Sequence, residues 1–544
     1  VASSSARIIA KSTAVLIISH IAGALLTLLT YRIVLSTLTK DEFGSLFWVQ
    51  QTGMLVLTVL VEAGMTTMTM GMVVRSPERA DVIIATLFRL RVLMFTLALC
   101  CLIVLSLWCD AALTPLFVLW SVHVWLSGKT SLFRGIIEMR TRAASNQVPA
   151  ALASIIDSVI LLVLVWFDRE HLTTLSMMVW CALCVLPSTV WLMLRAREWK
   201  TLKAPFDASV AREIIRVSLP VFVVVVLQQI HDKADTLFLD AFATKAEVGI
   251  YGAAYRLAMQ AFVVVVLIAH AMFPVVTALA AGSEQHANQE QSEHSEHTTH
   301  QTEGYHSGRL TSTATAKASV YLLFGTRIIM VCALGFAMLA SATMPWLIQL
   351  TAGALYMDAT NDFVLFVWAV AFGFVQVFLL TMNGAIGWQS RNYGIFGILV
   401  AVTLTGNFAL TPLLSVKGAL ITKAVAFGLS SLAALKVLSE YCGSNAVRKL
   451  TVQFCIALAG GGASVIVLLE PQWLCSVLTH PLGWVFPSGG MHVQNILDGI
   501  AGAFRATVVR FVLTMAIFAA LLAVSGIIGR REIETIRSLL QARR

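Results

Sequence analysis

Long apolar runs follow one another along this chain with little polar sequence between them. Fourteen are long enough to cross a bilayer, which takes roughly 20 helical residues. They lie near residues 14–37, 44–73, 92–110, 112–136, 148–167, 172–194, 217–239, 250–280, 319–342, 363–387, 393–414, 418–438, 452–469 and 505–528. The pattern predicts an all-α integral membrane protein of about 14 transmembrane helices. Composition agrees: 58% of the 544 residues are hydrophobic and 12% charged. That leaves no water-soluble domain large enough to carry a separate enzyme.

Charge adds an orientation. A formal charge of +9 would suggest nucleic acid in a soluble protein, but here the basic residues crowd alternate connections. One side collects Arg7 and Lys11, then Arg75, Arg79, Arg89 and Arg91, then Arg134, Arg140 and Arg142, then the run from Arg195 to Arg216. It continues with Arg309, Lys317 and Arg327, with Arg391, with Lys436, Arg448 and Lys449, and with the tail from Arg530 to Arg544. The other side holds little beyond Lys40, Arg169, Lys245, Lys417 and Arg505. The positive-inside bias puts both termini in the cytoplasm and demands an even number of spans, which fourteen satisfies. No nucleic-acid partner is expected. The first apolar run lacks a small-x-small cleavage site and reads as span one rather than a signal peptide.

Nine cysteines are scattered, mostly within or at the ends of spans, where cysteine acts as a small hydrophobe. Cys181-x-x-Cys184 has redox or zinc spacing, yet it sits in an apolar helix with no third ligand nearby and reads as inert.

A faint repeat divides the chain. Leu38-Thr39-Lys40-Asp41-Glu42-Phe43-Gly44 follows span one, and Ala243-Thr244-Lys245-Ala246-Glu247-Val248-Gly249 follows span seven. Both carry Thr-Lys-x-Glu-apolar-Gly at an outer turn. Six spans separate the copies, an even number, so both halves enter from the same side, as in transporters whose parallel repeats rock about a central site. The expected organisation is a six-helix lobe at 1–194, a cytoplasmic linker at 195–216, a second six-helix lobe at 217–438, and an appended helix pair with a basic tail at 439–544. The cytoplasmic insert at 282–318 holds His286, His294, His297, His300 and His306 among polar residues. It buries too little apolar surface to fold and reads as a disordered linker. Its histidine spacing fits no closed metal site. The outer segment 470–504, with Pro471, Pro481 and Pro487, reads as an irregular loop.

Ionisable residues inside spans are costly and usually face a cavity or a partner. Span seven is the most polar: Gln228, His231, Asp232 and Asp235 share one arc, flanked by Gln229 and Lys233. A structural network and the lining of an aqueous path are both open readings of it. Glu62 in span two and Asp157 in span five stand out among Thr and Ser stripes; Thr403, Asn407 and Thr411 in span eleven fit ordinary helix-packing contacts. The basic residues inside spans are Arg32, Lys129, Lys233, Arg256 and Lys423. Arg32 and Lys423 lie near enough to an outer end to snorkel, whereas Lys129, Lys233 and Arg256 are better placed for a cavity. An anionic ligand drawn from water into a low-dielectric cavity needs such cations. There is no Walker motif, no clustered set of metal ligands and no nucleophile–base pair, so no cofactor is expected.

The stretch Ala234-Asp235-Thr236-Leu237-Phe238-Leu239-Asp240 and, after it, Glu247-Val248-Gly249-Ile250-Tyr251-Gly252-Ala253-Ala254-Tyr255-Arg256-Leu257 resembles the seventh-to-eighth helix region of Wzx-type polysaccharide flippases. Phe43-Gly44, Glu62-Ala63-Gly64-Met65, Arg134-Gly135 and Phe273-Pro274 are similar to further pieces of that family. It belongs to the multidrug/oligosaccharidyl-lipid/polysaccharide exporter superfamily, with lipid II flippases and MATE drug exporters. The resemblance implies two six-helix lobes around a cavity, and a saccharide on undecaprenyl diphosphate carried across the bacterial cytoplasmic membrane. Membrane lipids, a polysaccharide polymerase and assembly proteins are the implied partners. The head group would meet Lys233, Arg256, Lys129 and Arg32. Asp235, Glu62 or Asp157 would balance these cations in the empty state, and protonation of one would couple the return step to the proton gradient. A MATE-like drug exporter would share the fold but favour acidic and aromatic cavity residues, and lipid II flipping is a related alternative. A membrane glycosyltransferase or polymerase would need catalytic motifs in sizeable outer loops, and the early outer loops here are short.

Overall fold

The computed structural model describes residues 2–62, 64–141, 147–196, 204–296, 307–469 and 511–525. All regular structure in them is helical, and every one of the fourteen apolar runs carries helix in its described part. Nine helical stretches among the described residues are long and apolar enough to cross a membrane, with shorter apolar helices at Ile21–Thr37, Leu152–Phe167 and Phe511–Ser525. The chain is a multi-pass membrane protein.

In chain order the helices are α1 (Ala2–Thr37), α2 (Lys40–Leu57), α3 (Met65–Arg75), α4 (Ala80–Cys109), α5 (Thr114–Thr141), α6 (Gln147–Phe167), α7 (Thr174–Cys184) and α8 (Leu186–Ala196). After them come α9 (Ala208–Phe242), α10 (Lys245–Met259), α11 (Phe262–Glu296), α12 (Ser307–Thr351) and α13 (Thr360–Ala385). The last four are α14 (Asn392–Leu414), α15 (Val416–Cys442), α16 (Ser444–Leu469) and α17 (Phe511–Ser525).

Three apolar runs that read as single spans are broken helices. In the second run α2 passes into a π-helical turn at Thr58–Glu62, and α3 starts after Gly64, whose φ of 71° suits glycine. Gly64 also has Val221 of α9 packed where a Cβ would stand. The sixth run breaks at Val185, between α7 and α8, because Pro187 at the second position of α8 supplies no N–H to the preceding turn. The eighth breaks at Gln260 and Ala261, between α10 and α11.

Two compact units emerge. The first comprises Val1–Gln260, Leu350–Tyr356 and Phe396–Lys423; the second comprises Ala261–Gln349, Met357–Ile395 and Ala424–Arg544. In the first, Met65, Ile83, Ile84, Leu87, Leu90, Leu192, Val210 and Ile214 pack α3, α4, α8 and α9 together. The Asp207 side chain caps α9, accepting from the Ser209 hydroxyl at 2.6 Å and from the backbone N–H groups of Ser209 and Val210. In the second, Phe374 of α13 stacks on Phe336 of α12 at 5.2 Å and meets Phe262 of α11 edge-on at 5.3 Å. Leu334, Met338 and Ala457 continue that core with Trp368.

The two copies of the Thr-Lys-x-Glu-apolar-Gly pattern fold alike. Thr39 and Glu42 make a capping box at the start of α2, and Thr244 and Glu247 make the same box at the start of α10. The copies also pack against each other reciprocally, both within the first unit. A Cβ on Gly44 would run into the Lys245 carbonyl and stand 3.0 Å from the Gly249 nitrogen. A Cβ on Gly249 would run into the Lys40 carbonyl and stand 3.3 Å from the Gly44 nitrogen.

The histidine-rich insert differs from the disordered linker its composition predicts. α11 runs on to Glu296 and α12 begins at Ser307. Helices already hydrogen-bonded inside the membrane need no new nucleus to propagate outward, and Ala, Gln and Glu favour the helical state. His297, His300 and His306 lie outside the described residues, as do much of the linker at 197–203, the outer segment 470–504 and the basic tail beyond 525.

Candidate functional site

The polar half of α9 is matched by polar residues on three other helices of the first unit. Asp235 pairs with Lys423 of α15, with side chains 0% and 1% exposed. Tyr251 of α10 donates its hydroxyl to Asp235 Oδ2 at 2.7 Å, and Asn407 of α14 donates Nδ2 to Oδ1 at 2.7 Å. The carboxylate thus has partners on both oxygens. Thr411 bonds Asn407 Oδ1 at 2.9 Å, and Thr403 meets His231 Nδ1 at 2.6 Å. The row Thr403, Asn407, Thr411, which reads as ordinary packing contacts, is the face of α14 that answers α9. Lys423 does not snorkel: it is held inside by a counter-charge 188 positions earlier.

A second constellation surrounds α10. The Arg256 guanidinium donates to Gln50 Oε1 of α2 and lies over Tyr31 of α1, 4.4 Å from the ring centroid, and over Phe47 at 5.9 Å. Lys233, buried, sits 5.6 Å over the Tyr255 ring. Phe47 and Tyr255 are themselves 5.6 Å apart. Two of the expected cations are therefore set against adjoining aromatic faces, where the ring quadrupole favours positive charge. Arg32 follows Tyr31 on α1, with Nη1 buried beside Gly353 and without a hydrogen-bond partner. The side chain of Lys129 lies outside the described residues.

The third feature stands at the π-turn. Glu62 pairs with Arg91 of α4; their side chains are 36% and 3% exposed. Arg91 also donates to Thr66 Oγ1 at 3.3 Å and to the Gly128 carbonyl at 3.4 Å. By charge pattern Arg91 reads as part of a cytoplasmic connection, but it lies well inside α4 and is buried. Asp157 of α6 has Oδ1 buried without a hydrogen-bond partner, and Ser188 of α8 is beside the carboxyl.

A cavity of about 310 Å³ opens between α3, the turn at Pro77–Arg79, α4 and α9; its lining includes Met72, Arg75, Arg79, Ile83 and Glu213. Among the described residues no three His, Cys, Asp or Glu side chains are grouped to hold a metal ion. Cys184 makes a helical back-bond to the Cys181 carbonyl at 3.2 Å. Outside the membrane, the Ser209 hydroxyl and N–H and the Val210 N–H hold the Asp207 carboxyl below its usual range. What these groups can do together is bind anions, exchange ion-pair partners and accept or release a proton at a carboxylate.

A profile described as polysaccharide biosynthesis protein matches residues 9–280, half of the chain. No curated protein matches the sequence significantly. Among solved structures, the lipid II flippase MurJ in an inward closed conformation superposes with a TM-score of 0.60 at 13% identity, covering 94% of this chain and 99% of that one. An inward-facing multidrug resistance MATE family transporter of the MOP superfamily gives 0.55 at 14% identity, covering 78% and 96%. A MOP superfamily transporter from Pyrococcus furiosus gives 0.51 at 16%, covering 79% and 96%. At these identities the likeness is one of fold.

Proposed function

Because this chain belongs to the polysaccharide biosynthesis protein family, we propose that it moves a saccharide linked to undecaprenyl diphosphate from the inner to the outer leaflet of the bacterial cytoplasmic membrane. The observation that carries the proposal is the setting of Lys233 and Arg256 against the rings of Tyr255, Tyr31 and Phe47 in the membrane-spanning part of the first unit. Cations inside the membrane suit a diphosphate, whose charge cannot cross hydrocarbon unpaired, and aromatic faces suit the apolar faces of sugar rings. Arg32 and Lys129 would extend this basic path.

The mechanism we propose is alternating access between two lobes, 1–194 and 217–438, joined by the linker at 195–216 and followed by the helices of 439–544. Both termini and the insert at 282–318 would face the cytoplasm, as the basic connections require. A ligand drives such a cycle only by favouring one state over the other. Cations held on aromatic rings and on Gln50 are available to exchange those contacts for phosphate oxygens. Glu62 is the coupling group we favour, because it is half-exposed and its partner Arg91 is fixed by further contacts. Asp235 is tied on both oxygens, and Asp157 has Ser188 beside its carboxyl. Transport without covalent chemistry makes this chain a carrier rather than an enzyme, working beside a polymerase and assembly proteins that consume the flipped product.

Depletion of the protein in a cell that makes the saccharide tests the proposal. The expected result is lipid-linked saccharide accumulating where an impermeant glycan-modifying enzyme cannot reach it from outside. Unchanged outer-leaflet exposure after depletion would contradict it.

A further inference from the structure

The reciprocal contact between the two repeat motifs has a consequence for how the path closes. Gly44 and Gly249 stand in the first turns of α2 and α10, each against the backbone of the other helix, with no room for a methyl group on either. The approach continues inward. Gly252 faces the Phe47 ring, which a Cβ at 252 would strike, and one turn further Arg256 reaches Gln50. Phe43, Phe47 and Tyr251 are fully buried along this seam. Arg256 lies seven residues, about 10 Å, below Gly249. The glycine crossing and its aromatic plug therefore stand between the cation cluster and the end of the helices that carries Lys40 and Lys245.

From this geometry we infer that Gly44 and Gly249 are the outer seal of the transport path: α2 and α10 lie backbone to backbone here, and the seal parts when the path opens outward. Outward orientation and alternating access rest on the function proposed above. The seam has the features such a seal needs. Backbone contact without side chains makes a close fit with little rotamer entropy to lose on closing. Its reciprocity is what a parallel repeat produces about an axis along the membrane normal. Some contacts at the ends are local and survive a separation: each capping box lies within its own motif, and Lys245 pairs with Asp240 of the preceding helix. The Lys245 ammonium also lies over the Trp48 ring of α2, 4.6 Å from its centroid, a contact that parts with the seal.

Two measurements test the inference. Gln51 is buried, two turns below Gly44 on the same face of α2. Gln51→Cys should be shielded from a membrane-impermeant maleimide added outside, relative to the background of the nine native cysteines. Adding Gly44→Ala or Gly249→Ala should raise that labelling severalfold and cut transport at least tenfold at matched abundance. In chains that retain both glycines, a cleavable bifunctional thiol reagent joining Lys40→Cys to Lys245→Cys should stop transport, and cleaving it should restore transport to the level before cross-linking. Unchanged labelling in the alanine variants, or full transport through the cross-linked chain, would overturn the inference. Labelling is read without substrate. A chain that gates as expected but moves no lipid-linked saccharide would therefore sink the functional proposal and leave the seal standing.

Discussion

Asp235 and Lys423 form a fully buried ion pair that ties α9 to α15, and Tyr251 and Asn407 bind the same carboxylate from α10 and α14. Removing one partner strands a charge in a medium with no water, which costs about 3–5 kcal/mol, whereas removing both together is far milder. Asp235→Asn and Lys423→Met should each lower membrane abundance and melting temperature markedly, and the double variant should recover most of both. Fluorescence-detected gel filtration after heating measures this. Equal losses in single and double variants would mean that the pair does not hold these helices together.

Arg256 donates a hydrogen bond to Gln50 Oε1 and stacks on Tyr31. A charge-assisted hydrogen bond to phosphate contributes about 1.5–3 kcal/mol, so Arg256→Ala should reduce transport about tenfold or more at matched abundance. Arg256→Lys keeps the charge but loses the planar fork and should recover only part of the rate. Lys233→Ala should behave like Arg256→Ala. Wild-type rates in both alanine variants would remove these cations from the path.

Much of the architecture is legible in the sequence because the bilayer imposes it: a long apolar run has little choice but helix. The breaks inside the runs are not legible in the same way. The π-turn at Thr58–Glu62 shifts the hydrogen-bond spacing and the gap at Gln260 and Ala261 ends a helix, and both fall inside long apolar runs, though Gly64 and Pro187 mark two of the three places. The site was legible in part. The polar arc of α9 and the matching row on α14 are both visible, but their pairing is a tertiary fact. Lys423 and Arg91 sit close enough to the ends of apolar runs to pass for interfacial charges; their counter-charges lie 188 and 29 positions away. The Thr-Lys-x-Glu-apolar-Gly repeat is visible as a turn motif, whereas the contact between its two glycines is not.

Glu62 and Arg91 separate two roles for a partly exposed pair. Glu62→Gln should abolish the response of transport to an imposed proton gradient, and by leaving Arg91 without a counter-charge it should also reduce abundance. Adding Arg91→Met should restore abundance without restoring the gradient response. Transport that still follows the gradient in Glu62→Gln would move coupling to another acid.

Asp207 gives a pH signature at the start of α9. Its carboxyl titrates below the usual range because the ionised form accepts from Ser209 and Val210. A depressed folded value stabilises the native state above the unfolded value near 3.9, and that stabilisation is lost as pH falls through the folded value. Asp207→Ala should therefore melt lower than the parent at neutral pH, with the difference vanishing in acid. A difference independent of pH would show that the charge is not what caps the helix.

Flipping itself can be followed with purified protein in liposomes that carry undecaprenyl-diphosphate-linked saccharide and an imposed gradient. The measured quantity is the rate at which the glycan becomes reachable by an impermeant modifying enzyme. A carrier of this lipid-linked saccharide gives a protein-dependent rate that Arg256→Ala lowers about tenfold. A rate no higher than in protein-free liposomes, from a preparation that exports an organic cation against the same gradient, would contradict the proposed function.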